Sequence, residues 1–225
     1  MTLAAVARRL AATTRRHGVG VGSKLLALAV ARRAVTIERA YVLELTRPPE
    51  VPASPHRRVR LATPDDIRQL ARDPIWDLEA EAVQVLERGH RCVLNVVEGK
   101  VAGYAWMNPH RMLIPLLRTA FALRAGEAHI YKGFTHPAHR GHNLGVDRFA
   151  FWLEGLGEDE RPRRLLTDFA FDNPATLARL ERTGLTHIAT ATYVSRGSYE
   201  RRLFTHELTA RAFDPIPVDL CHRDH

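Results

Sequence analysis

The run His136-Pro-Ala-His-Arg-Gly-His-Asn-Leu-Gly145 lies between a strand-like stretch, Ala128 to Thr135, and a helix-like stretch that starts near Leu144. A strand followed across a short turn by a helix fits an α/β fold in which the two pack as layers. The same turn is also a place for an anion. The first N–H groups of a helix have no carbonyl partner and point outward. Gly141 and Gly145 let the chain approach a ligand closely, and Asn143 tolerates a left-handed backbone. Arg140 adds a fixed positive charge beside them.

The pattern around this turn is regular from about Arg58. Val59 to Ala62 reads as a strand, and Thr63-Pro64-Asp65-Asp66 reads as a helix start with Thr63 as its cap. A second helix follows, with Leu78, Ala82, Val85 and Leu86 at helical spacing and Gly89 as its stop. Cys92 to Val97 and Val101 to Met107 read as a hairpin across Glu98-Gly99-Lys100. Beyond the turn, Val146, Phe149, Leu153 and Leu156 supply a helical stripe. Leu165 to Phe171 is a further strand, Asn173 to Gly184 a capped helix, and Thr186 to Val194 and Arg201 to Leu208 the last strands. This order implies an α/β fold, a mixed and mostly antiparallel central sheet flanked by helices. Residues 1–50 form a basic, helical N-terminal extension in this reading, 58–208 the domain and 209–225 a tail.

Charge and cysteine usage narrow the function. The net charge is +8 over 225 residues, but residues 1–34 hold Arg8, Arg9, Arg15, Arg16, Lys24, Arg32 and Arg33 and no acid. The surplus therefore belongs to this extension, which is open to a transit peptide, a solvated or self-docked helix, a membrane-surface contact or an acidic partner. No base-reading motif accompanies it, so nucleic acid is not expected as a partner. Two cysteines, Cys92 and Cys221, form no disulfide framework, and a reducing cytoplasm is the default expectation. The histidines at 136, 139 and 142 fall on a turn rather than on one helical face, so no metal is expected.

The order of elements, with Arg140-Gly141-His142-Asn143-Leu144-Gly145 and the later Asn173 helix, resembles the GNAT superfamily of acyl-CoA-dependent N-acyltransferases over roughly Arg58 to Leu208. Arg140 and Gly145 match the ends of that family's pyrophosphate pattern, and Asn143 replaces the first of its two glycines. The resemblance implies a GNAT-like fold and an acyl-CoA donor, most simply acetyl-CoA, whose acyl group passes directly to an amine-bearing acceptor of unspecified identity. It implies that Arg140, Gly141, His142, Asn143, Leu144 and Gly145 hold the pyrophosphate. Backbone groups of Phe134 and Thr135 would pair with the pantetheine arm, and the Asn173 side chain would touch it.

An attacking amine must lose a proton, so a base is needed near the strand before the turn. Glu127, His129 and Tyr131 share a face of that strand with Thr135 by period-two alternation, and Asp168 lies on the next strand. A frequent acid of the family is a tyrosine where this sequence has Leu180, which leaves Tyr193, Tyr131 or solvent to protonate the thiolate. Loss of catalysis, leaving an acyl-CoA-binding module, is one alternative. An acyl carrier protein as donor is another. The long connection Asn108 to Glu127 carries Met112, Leu113, Ile114, Leu116, Leu117, Phe121 and Leu123 and must cover something apolar. It is expected either to wall the acyl or acceptor pocket or to pack on the N-terminal helices or a second subunit. Oligomeric state stays open.

Overall fold

A computed structural model describes residues 36–51, 56–78, 81–170, 183–196 and 198–215. The extension 1–34, Asn173, Leu180 and the tail Asp219 to His225 lie outside the described residues. In chain order the strands are β1 (Thr36–Leu45), β2 (Arg57–Leu61), β3 (Arg91–Val97), β4 (Lys100–Asn108), β5 (Arg111–Ile114), β6 (Thr119–Ala122), β7 (Glu127–Thr135), β8 (Arg164–Ala170), β9 (Thr186–Arg196), β10 (Tyr199–Phe204) and β11 (Phe213–Pro215). The α-helices are α1 (Pro64–Leu70), α2 (Ala82–Glu87) and α3 (Leu144–Glu154).

Local chemistry accounts for the first helix. The Thr63 hydroxyl accepts from the Asp66 N–H and the Asp66 carboxylate accepts from the Thr63 N–H, a reciprocal cap with Pro64 in the first turn. The hairpin between β3 and β4 turns through Glu98 at φ 50° and Gly99 at φ 79°, the double left-handed turn that matches strand twist.

Eight strands form one sheet in the order β10-β9-β1-β8-β7-β4-β3-β2. Every neighbouring pair is antiparallel except β7 with β8, which is parallel. The fold is therefore the mixed, mostly antiparallel α/β arrangement that the element order implies. Alternation along the strands assigns the two faces. On one face α3 packs Trp152 and Leu153 against Val93, Ala105, Met107, Ile130 and Leu165. On the other, α1 and α2 place Ile67, Leu70 and Ala82 against Cys92, Leu94, Tyr104 and Trp106. Among the described residues no helix is long and apolar enough to cross a membrane.

Three elements differ from the sequence reading. Thr36–Leu45, assigned to a helical extension, is a strand inserted between β8 and β9, where Ala40 pairs with Ala170 and Ala191. Ala40 and Val42 are fully buried and Leu43 nearly so, and a strand covered on both faces shows no clean period-two pattern. The apolar connection after Asn108 is a hairpin, β5 and β6, joined by β11 into a small sheet of order β11-β6-β5. Its Met112, Ile114, Leu117 and Phe121 pack on Val42, Leu166, Ala189 and Ala191. The hairpin thus covers the β1–β8–β9 part of the large sheet. Part of the expected tail, Phe213–Pro215, closes that layer.

Candidate active site

Strands β7 and β8 pair only from Glu127 opposite Arg164 to Ile130 opposite Thr167. Both continue, β7 to Thr135 and β8 to Ala170, so past Ile130 they part. A cavity of ≈ 400 Å³ occupies the gap and runs to the turn that opens α3. Phe134, Thr135, Arg140, Gly141, Asn143, Leu144 and Gly145 line it, with Tyr131, Lys132, Arg148 and Asp168.

A bulge shapes the β7 wall. Tyr131 faces Trp106 and Phe134 faces Tyr104, so Lys132 and Gly133 together oppose the single residue Ala105. Lys132 takes φ 44°, and a bulge removes an N–H from the ladder. The bulge also corrects the expected alternation. Glu127, His129 and Tyr131 share a face, but the inserted residue puts Phe134 on that face and turns Thr135 to the α3 side. There the Thr135 hydroxyl receives a hydrogen bond from Arg148 at 3.3 Å.

The turn itself has the geometry its residues predict. Gly141 takes φ 89° and Asn143 φ 58° and ψ 25° before α3 begins at Leu144. Two arginines brace its backbone. Arg57 donates to the His142 carbonyl at 3.0 Å and Arg140 to the Thr135 carbonyl at 3.4 Å. His142, expected with this set, does not line the cavity; its Nδ1 lies 3.2 Å from the His139 carbonyl.

Arg148 is a site residue that the sequence reading missed. It is buried and donates to Asn95 Oδ1 at 2.8 Å and to the Phe134 carbonyl at 2.9 Å. Asn95 in turn donates to the Leu144 carbonyl at 3.1 Å, so one network ties the end of β7 to the start of α3. The signal was its place on the helix, four residues from both Leu144 and Trp152 and thus on the buried stripe. Gly103 makes room for it. A Cβ there would lie 2.7 Å from both Arg148 Nη1 and the Phe134 carbonyl oxygen. Gly103→Ala is expected to destabilise the fold by about 1–3 kcal/mol, read as a lower denaturation midpoint with unchanged m-value.

The candidate proton carriers separate by position. His129 is fully buried and its Nε2 lies 2.9 Å from Asp168 Oδ1, whose side chain is 20% exposed at the cavity. With Asp168 ionised, Nε2–H is the donor. Tyr131 stacks on the His129 ring at 5.8 Å, and its hydroxyl lies 2.6 Å from His90 Nδ1. Glu127 and Tyr193 do not reach the cavity. Burial alone would raise the Glu127 pKa, but two hydrogen bonds from Arg211, at 2.6 and 2.7 Å, one from the Arg124 N–H and the charge of Arg164 lower it instead. A carboxylate so held is an ion-pair anchor. The Tyr193 hydroxyl donates to Glu200 at 2.7 Å, and the guanidinium groups of Arg118 and Arg202 each lie 5.3 Å from its ring centre. Burial raises the Tyr193 pKa. Among the described residues no group of His, Cys, Asp and Glu is arranged to hold a metal ion.

No protein-family model matches this chain, and no curated protein does. Solved structures do match. A GCN5-related N-acetyltransferase from Kribbella flavida is 17% identical, with a TM-score of 0.46, over 77% of this chain and 64% of that one. A tandem GNAT protein from the clavulanic acid biosynthesis pathway is 21% identical, with a TM-score of 0.44, over 80% and 56%. A Drosophila protein is 14% identical, with a TM-score of 0.46, over 80% and 58%. This chain spans less than two thirds of the length of each.

Proposed function

We propose that the protein is an N-acyltransferase that passes an acyl group, acetyl being the simplest, from coenzyme A to an amine. The observation that carries this reading is the parting of β7 and β8 beyond Ile130 and Thr167, which opens a cavity along a strand that ends at a helix N-terminus. An extended, amide-bearing arm with a pyrophosphate at its end fits that shape. The arm pairs with the free side of β7 at Phe134 and Thr135 as an added strand would. The pyrophosphate takes the N–H groups from Gly141 to Gly145 and the charge of Arg140. The N–H released by the Lys132–Gly133 bulge is the donor for the thioester carbonyl. Asn173 remains a proposed pantetheine contact.

Asp168 acts as the base in this reading. It lines the gap, and His129 fixes its orientation from the buried side. The neutral amine attacks the thioester carbon, a C–N bond forms as the C–S bond breaks, and the amine proton passes to the Asp168 carboxylate. The sulfur leaves as a thiolate, which solvent protonates.

Acetyl-CoA at ~100 times its dissociation constant should add about 2.7 kcal/mol of stability, and free thiol should appear when mixed amines are added. Gly145→Glu should abolish the thermal shift. Its Cβ meets only Arg148 Nη2, at 3.5 Å, and an acid in the first helical turn favours the helix while it repels the pyrophosphate. No shift in the unaltered protein would overturn the reading. Binding without thiol release would leave an acyl-CoA-binding module in its place.

A further inference from the structure

We propose that Lys132 selects the acyl group, favouring one that ends in a carboxylate, such as succinyl, over a neutral chain of similar length. The inference rests on the acyl-CoA reading above and concerns the same cavity. Lys132 occupies the bulge at φ 44°, a conformation that glycine adopts freely and a lysine does not. Glycine stands next in the chain, at Gly133, yet the left-handed position holds a long cationic side chain. A residue kept in a disfavoured backbone state within a cavity points to function.

The position fits the acyl end of the donor. Lys132 lies two residues past Ile130, where β7 and β8 part, and three before Thr135, which leads into the phosphate turn. At ~3.3 Å per residue, the three steps from Lys132 to Thr135 span about 10 Å of strand, so the side chain lies well away from the phosphate turn. The arginines of the cavity have partners elsewhere. Arg148 holds Asn95 and the Phe134 carbonyl, and Arg140 lies at the turn beside the Thr135 carbonyl. Lys132 is half-buried, lines the cavity and forms no ion pair among the described residues. A partly desolvated ammonium without a counter-ion gains most from a ligand carboxylate. Asp168, across the gap, leaves the neighbouring position electrostatically suited to the amine.

The test is titration of the full chain with CoA, butyryl-CoA and succinyl-CoA. Succinyl-CoA is expected to bind at least tenfold more tightly than butyryl-CoA. Lys132→Met should bring that ratio to about one, and Lys132→Arg should keep most of it. Lys132→Gly should also lose the preference while raising the melting temperature, because glycine relieves the backbone, which separates charge recognition from folding. Equal binding of both donors by the unaltered protein, or an unchanged preference in Lys132→Met, would overturn the inference and leave the acyltransferase reading standing. Failure of CoA itself to bind would instead overturn that reading and this inference with it.

Discussion

Arg211→Met is expected to cost about 3–5 kcal/mol of stability, the typical penalty for stranding one partner of a buried ion pair. At roughly 2–4 °C per kcal/mol for a domain of this size, the melting temperature should fall by roughly 6–20 °C. The Arg211 side chain is 2% exposed and that of Glu127 4%. Arg211 bonds both Glu127 oxygens and Glu207, while Arg164 bonds Glu44, Glu127 and Glu207. The cluster therefore joins β1, β7, β8 and the turn His206–Ala210. The pH dependence has a definite sign. Arg164 first, then Arg211, holds Glu207 at about 2, against an ordinary value of 4.5. The folded Glu127 value is also lowered. A carboxyl group depressed by folding stabilises above its unfolded value, and that contribution is lost as pH falls through the folded value. Stability should drop between about pH 4.5 and about pH 2, and less steeply in the variant. Replacing both partners, Arg211→Met with Glu127→Leu, should recover most of the loss. A cost below about 1 kcal/mol would mark the cluster as a solvated network of little weight.

Asp168→Asn should lower kcat by about 10²–10⁴, the range for removal of a general base, with acyl-CoA affinity kept within a few fold. Asparagine has nearly the same volume and its carbonyl still accepts from His129 Nε2, but it cannot take a proton. Steady-state kinetics with any amine that supports thiol release reads the change. A kcat within about threefold of the unaltered protein would remove Asp168 from the chemistry. Glu127→Gln gives the contrast, because Glu127 lies in the ion cluster and not at the cavity. Its effect should fall on stability and leave kcat nearly unchanged.

The parts of the site that were legible in the sequence are those fixed by a few adjacent residues. Thr63 and Asp66 cap α1 because both partners lie within four residues. Gly141 adopts positive φ because it lacks a Cβ, and Asn143 because asparagine tolerates the left-handed region. The rest depended on partners far away in the chain. Glu127 looked like a base until Arg211, eighty-four residues on, closed over it. Thr135 looked like a neighbour of Tyr131 until the bulge against Ala105 reversed its face. Arg148 has its buried seat from Gly103 and Asn95, which lie more than forty residues before it.

By itself, the sequence determined a strand, a turn through left-handed residues and a helix in that order, because backbone freedom at Gly141 and Asn143 is a local property. Only the tertiary structure decided that β1 fills the gap between β8 and β9, that β7 and β8 part after Ile130, and that Lys132 and Asp168 face the space between them. Strand neighbours and the depth of pairing are set by the packing of whole layers, in which one inserted residue redirects every side chain that follows it.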